Sequence, residues 1–158
     1  NSRNIYRNVA KYGDAATLEW AQAHFKEGHI EAIKKYIKRR NFELLRQCHA
    51  VPGAYCYAAD TNDLNIVKLV DEMGFPHDVN DELVTDLAAS NNNFEMLQWF
   101  VARNYQMGSN VIDLGVQNDN LALVVWARER GTHVAYSTAY TDFLARHGMR
   151  ERIMIEPI

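Results

Sequence analysis

Two groups of residues in this chain could do catalytic chemistry. Cys48 is followed directly by His49, a pair that could supply a thiolate and its base if the fold brought other groups to it. Glu82 and Asp86 would share one face of a helix and could act as paired carboxylates. Cys48, however, falls on an apolar helical stripe, and acidic residues in the first turn of a helix commonly complement its dipole. The sequence therefore favours structural roles for both groups.

The histidines and cysteines do not form a pattern typical of a metal site. His24 and His29 are the only histidines close in sequence, and five residues apart on a helix they diverge by about 140°. The two cysteines lack zinc-site spacing. Glycine-rich phosphate loops, H-E-x-x-H and G-x-S-x-G are also missing from the sequence. We therefore expect a protein that is not an enzyme, with no metal, no cofactor and no small-molecule substrate.

Charge is distributed unevenly along the chain. Residues 1–50 hold ten Lys/Arg and five Asp/Glu, whereas residues 51–158 hold seven and fifteen. A basic helical region at 34–46 could bind a polyanion such as nucleic acid, which is the alternative function. The residues that would carry it are Lys34, Lys35, Lys38 and Arg39. A run of basic residues more often forms a solvent-exposed helix face. The acidic segment in the middle of the chain would also repel a polyanion, so we expect nucleic-acid binding to be weak.

The composition indicates an intracellular protein. No apolar run approaches the roughly 18 residues of a membrane span, and the first 30 residues contain no signal-peptide core. Two cysteines without a disulfide framework favour a reducing compartment. We expect a cytoplasmic location, with the nucleus or the cytoplasm of a host cell as alternatives. Because the chain begins at Asn1 rather than Met, we interpret it as a piece of a longer protein.

A helix-sized pattern recurs five times and would position all these residues. Its third position holds Ala15, Phe42, Leu64, Phe94 and Leu121, at intervals of 27, 22, 30 and 27 residues. Its second position, a short polar residue suited to cap a helix, holds Asp14, Asn41, Asp63, Asn93 and Asn120. Positions three and six, and less uniformly eight and nine, are apolar and predict one buried stripe. At position thirteen, Gly74, Asn104 and Gly131 suit the left-handed conformation past a helix end.

A shorter helix precedes each of these helices. Its last turn carries small residues such as Ala58-Ala59, Ala88-Ala89 and Gly115-Val116, which would let two helices approach closely. The pattern predicts an all-α fold without a sheet: a solenoid of stacked antiparallel helix pairs, about five units, with short linkers. Trp20, Trp99 and Trp126 occupy one column of the repeat. Packing between repeats is favoured for them over an aromatic ladder that would bind a ligand.

The predicted domain covers residues 1–158. An irregular N-terminal unit would occupy about 1–52, with Ile30–Arg39 as the first helix of a pair that ends at His49. Regular repeats would follow at about 53–134. The C-terminal cap would occupy about 135–158 and begin with a helix at Thr138–Arg146, because the following residues break the apolar stripe.

These residues resemble ankyrin-type repeats, over about residues 9–147. They are most similar to the short repeats, about 27 residues long, of large DNA viruses of amoebae and of some algae and oomycetes. The matching residues are Ala58-Ala59, Asn62-Asp63-Leu64, Val67-Lys68-Leu69 and the linker Gly74-Phe75-Pro76-His77-Asp78. The Thr-Pro-Leu-His signature is missing, so long β-hairpin fingers are not expected. Helix-pair solenoids of the HEAT kind are the alternative fold.

The resemblance implies a scaffold module for protein–protein interaction, which binds a partner protein on the concave face made by the first helices and linkers. No membrane partner is expected. The candidate contact residues on these elements are Tyr55, His77, Glu82, Tyr105, Asp113, His133, Tyr136 and Tyr140. Tyrosine is a favoured interface anchor. Aromatic residues in linkers also pack beneath the neighbouring repeat, and the sequence leaves both roles open.

Overall fold

The structure, a computed structural model, describes residues 8, 15–24, 33–46, 53–132 and 137–149. Within these ranges all regular secondary structure is helical, which confirms the all-α class. The chain divides into two compact units, Asn1–Asp78 and Val79–Ile158, and each is described by itself. The single repeat domain of residues 1–158 stays a prediction.

The described residues of the first unit contain four helices with defined bounds. They are α1 (Ala15–His24), α2 (Phe42–Arg46), α3 (Ala54–Ala59) and α4 (Leu64–Glu72). Residues 33–38 are also helical and precede α2, as expected if a first helix occupies Ile30–Arg39. The predicted end of this pair at His49 lies outside the described residues. Helices α3 and α4 contact each other and are joined by a short turn, so they form a helical hairpin.

In the second unit, residues 79–132 and 137–149 form two helical hairpins and one further helix. Its helices are α5 (Leu83–Ser90), α6 (Phe94–Ala102), α7 (Val111–Gln117), α8 (Leu121–Arg128) and α9 (Thr138–Arg146). Helix α5 pairs with α6, and α7 pairs with α8. The first helices also contact one another, α5 with α7 and α7 with α9. Helix α9 has the predicted bounds, whereas the cap beyond residue 149 lies outside the described residues.

The second helix of each hairpin begins at the predicted cap. A carboxylate oxygen of Asp63 accepts from the backbone amide of Asn65 at 2.9 Å. The side-chain oxygens of Asn93 and Asn120 each accept at 3.0 Å from an amide three residues further on. These bonds satisfy amides that the first turn of a helix leaves unpaired. The short polar residue at position two therefore sets where each helix starts.

These helices also end where the sequence predicts. Gly74, Asn104 and Gly131 adopt φ angles of 71°, 65° and 77°, the left-handed region. In each case the amide of the next residue bonds to a carbonyl five residues earlier, the pattern of a Schellman motif. The bonded pairs are Phe75–Val70, Tyr105–Phe100 and Thr132–Ala127. Local chemistry at position thirteen therefore stops the helix and turns the chain into the linker.

The first helices also end at a residue with a left-handed φ angle, which was not predicted from the sequence. Asn62, Asn92 and Asp119 have φ angles of 56°, 53° and 53° at the turn between the two helices of a hairpin. Asparagine and aspartate tolerate this conformation better than other residues with a side chain. The residue at position one of the repeat therefore ends the first helix of a hairpin, and the residue at position two caps the start of the second helix.

Polar side chains of these turns link successive elements of the second unit. The Asn120 side-chain amide donates to Asn92 Oδ1 at 2.7 Å. Asp119 Oδ1 lies 2.9 Å from Arg146 Nη1 and 3.1 Å from His147 Nε2, at the end of α9. The hydrogen bond from His147, with the charge of Arg146 in support, lowers the pKa of the Asp119 carboxyl. These contacts connect the turns of the two hairpins in this unit to each other and to the end of α9.

The buried stripe is shifted relative to the predicted one. Positions five, six and nine of the repeat form the core: Ile66, Val67 and Val70 in α4, Met96, Leu97 and Phe100 in α6, and Leu123, Val124 and Ala127 in α8. Position three is only half-buried in all three helices, so the prediction that Leu64 is buried was wrong. The small residues Ala88, Ala89 and Gly115 of the first helices are buried, as expected for a close helix–helix contact.

Replacing Asn93 by alanine is expected to lower the free energy of unfolding by about 1 kcal/mol, because the Met96 amide loses its acceptor. Urea unfolding followed by circular dichroism measures this change. Asn91→Ala is the matched control: its exposed side chain lies in the same turn and makes no hydrogen bond within the described residues. That control should change stability by less than about 0.5 kcal/mol. Equal losses in both variants would contradict the capping role.

Candidate partner-binding surface

Two of the predicted contact residues in the first unit bind each other rather than facing solvent independently. The Tyr55 hydroxyl donates to Asp71 Oδ1 at 3.0 Å and lies 2.9 Å from His77 Nε2. His77 Nε2 also lies 3.1 Å from Asp71 Oδ1. Tyr55 is buried, whereas the His77 side chain keeps 39% of its surface exposed. The three groups hold the linker against the end of α4, and only His77 remains accessible to a partner.

Tyr105 and Tyr140 are buried as well. The Tyr105 ring packs edge-on against Phe100, with ring centroids 5.1 Å apart. Tyr140 is fully buried, and its hydroxyl accepts a hydrogen bond from Arg128 at 3.0 Å. Burial with a partner for the hydroxyl is typical of tyrosine in a core. With Tyr55, these residues correct the predicted contact list: their rings pack inside their units, the role that the sequence left open. His133 and Tyr136 lie outside the described residues.

An exposed apolar pair marks the start of α5. Among the described residues the large exposed hydrophobic side chains are Trp20, Val79 and Leu83, at 50%, 37% and 53% of their surface. Val79 and Leu83 are four residues apart, at the junction of a linker and a first helix. Neither residue was predicted from the sequence as a contact residue, although two aliphatic residues in an acidic segment, outside the apolar stripe of the repeat, indicate an exposed apolar surface. An exposed apolar patch is typical of a binding surface.

The acidic residues beside this pair have partly structural roles. Asp81 Oδ1 accepts from the Leu83 amide at 3.0 Å, at the start of α5. Glu82 Oε2 accepts from the Ser109 amide at 3.3 Å, and Asp86 Oδ2 accepts from the Asn110 side chain at 2.7 Å. Glu82 and Asp86 therefore hold the following linker rather than facing each other as a pair of catalytic acids. The Glu82 side chain is still exposed, so it remains available at the surface.

Aspartates form a column along the first helices of the second unit. Asp86, Asp113 and Asp142 each lie six residues before the left-handed residue that ends their helix, namely Asn92, Asp119 and Gly148. Because α5 contacts α7 and α7 contacts α9, equivalent positions follow one another across the layer. Asp113 and Asp142 form no ion pair within the described residues. Residues 79–90 and 104–117, which contain α5 and α7 with their linkers, hold no Lys or Arg, so negative charge dominates these two segments; α9 carries Arg146, which pairs with Asp119.

The basic region of the first unit is largely paired with groups of the same unit. Lys38 Nζ lies 3.2 Å from Asp60 Oδ2, and Arg40 donates to Asp63 Oδ2 at 2.6 Å. Lys34 Nζ lies 4.7 Å from the centroid of the Tyr57 ring. Lys35 is half-buried, whereas Arg39 is exposed. These contacts reduce the positive charge that this helix offers to a polyanion.

The described residues contain no arrangement typical of a metal site. No group of three or more His, Cys, Asp or Glu in the ranges that the structure covers is placed to hold a metal ion. Cys48, His49 and His29 lie outside those ranges. In the described part of the chain no helix is long and apolar enough to cross a membrane.

The tryptophan column carries a repeated side-chain contact. The Arg103 guanidinium carbon lies 3.7 Å from the centroid of the Trp99 ring, and Arg130 lies 4.1 Å from that of Trp126. In α1, His24 stacks on Trp20 with ring centroids 4.8 Å apart. Each tryptophan thus has a basic or imidazole group four residues later, at the last residue of its helix or just past its end. The pairing covers part of each ring and attaches positive charge to the second helices.

Comparisons with protein families, with curated proteins and with solved structures find no match to this chain.

Proposed function

We propose that this protein is a non-catalytic interaction module that binds a partner protein through the first helices and linkers of its second unit. The binding surface consists of Val79, Leu83, Glu82, Asp113 and Asp142, and is called the first-helix surface below. The partner supplies an apolar anchor for Val79 and Leu83 and basic residues for the aspartate column.

The exposed Val79–Leu83 pair carries this proposal. Val79 lies in the turn before α5 and Leu83 is its first residue; these two aliphatic side chains are exposed to water at 37% and 53%, which costs free energy unless a partner covers them. The carboxylates of Glu82, Asp113 and Asp142 add negative charge to the same surface. A surface lined by one sign of charge raises the local concentration of an oppositely charged partner and speeds its association.

The architecture that we propose is a solenoid of ankyrin-like helix pairs. Repeated caps, repeated left-handed stops and consecutive contacts among α5, α7 and α9 support it. In such a stack the first helices and linkers form one continuous face, which suits protein recognition. Paired lysines and arginines at 34–40 make polyanion binding the weaker alternative.

Affinity capture from native cells tests the proposal. The immobilised protein should retain a partner protein that is lost with Leu83→Asp and with the double variant Asp113→Lys/Asp142→Lys. We expect capture to fall at least about tenfold in each case, because the variants remove the anchor contact or reverse the charge of the surface. Quantitative mass spectrometry of the retained proteins measures the loss, and circular dichroism verifies that the variants fold.

Glu72→Lys is the matched control for charge. Glu72 is exposed at the end of α4, in the other unit, and the substitution changes the net charge by the same amount per residue. It should leave capture unchanged. A partner that binds all four proteins equally would contradict the first-helix surface. Capture that disappears after nuclease treatment and after Lys38→Glu would support the polyanion alternative instead.

A further inference from the structure

We draw no further inference here: the strongest candidate, the open apolar groove that Phe94, Val125 and Trp126 line between α6 and α8, carries none because nothing in the structure shows what covers it.

Discussion

Leu97→Ala should lower the free energy of unfolding by about 2–5 kcal/mol. Leu97 is fully buried at position six of the repeat, in the middle of α6, and helix α5 packs against α6. Truncation removes three carbons that contact the core and leaves a cavity that the neighbouring helices fill only in part. Urea unfolding at constant temperature, followed by circular dichroism, measures the loss. Total stability of a small domain is commonly 5–15 kcal/mol, so the variant would be close to unfolding.

Gln98→Ala provides the matched control for this measurement. Gln98 is the next residue on the same helix, and its side chain is exposed. Alanine is a good helix former, so this change should alter stability by less than about 0.5 kcal/mol. A loss of stability below about 1 kcal/mol for Leu97→Ala, or equal losses for both variants, would show that α6 does not bury the face that contains Leu97.

The starts and stops of the helices could be predicted from the sequence because their causes are local. A short polar side chain such as Asn93 needs only the first turn of its own helix to act as a cap. Asn104 and Gly131 need only their own φ angles to end a helix. Helix α9 has the predicted bounds, and local residues account for them in the structure, since Ser137 caps it and Gly148 follows its end.

The buried face could not be read from apolar spacing alone. Positions three, five and six of the repeat are all apolar in α6, so the sequence permits several stripes. The observed core follows from where the first helix packs, and this depends on residues about ten positions upstream. Phe94 was therefore predicted to lie in the core, whereas it lines the groove between α6 and α8.

The candidate site was less predictable than the fold. The sequence predicted that Asp113 and Glu82 lie on first helices. In the structure Asp113 lies on α7 and Glu82 lies at the start of α5. The sequence also assigned Tyr55, Tyr105 and Tyr140 to partner contacts, whereas these three residues are buried. A tyrosine on a first helix or in a linker can point to the surface or beneath its neighbour, and packing between elements distant in sequence decides between the two. Asp86, Asp113 and Asp142 lie at one common distance from the left-handed residues that follow their helices but at different distances from the helix starts, so the repeat pattern in the sequence does not align them.

A final prediction concerns the close approach of α7 and α8. A Cβ atom at Gly115 would lie 2.7 Å from Leu123 Cδ2 and 2.9 Å from Val124 Cγ2, well inside van der Waals contact. Gly115→Val should therefore lower the free energy of unfolding by about 3 kcal/mol, because overpacking a core outweighs the small gain in helix propensity. Thermal and urea unfolding both measure the change.

The double variant Gly115→Val/Leu123→Ala separates overpacking from a general loss of stability. Leu123→Ala alone should cost about 2–5 kcal/mol, because Leu123 is fully buried. In the double variant the alanine makes room for part of the valine, so the combined loss should fall short of the sum by about 1–3 kcal/mol. Additive losses would mean that residues 115 and 123 do not touch. In that case the small residues of the first helices would not set the separation between the two helices of a hairpin.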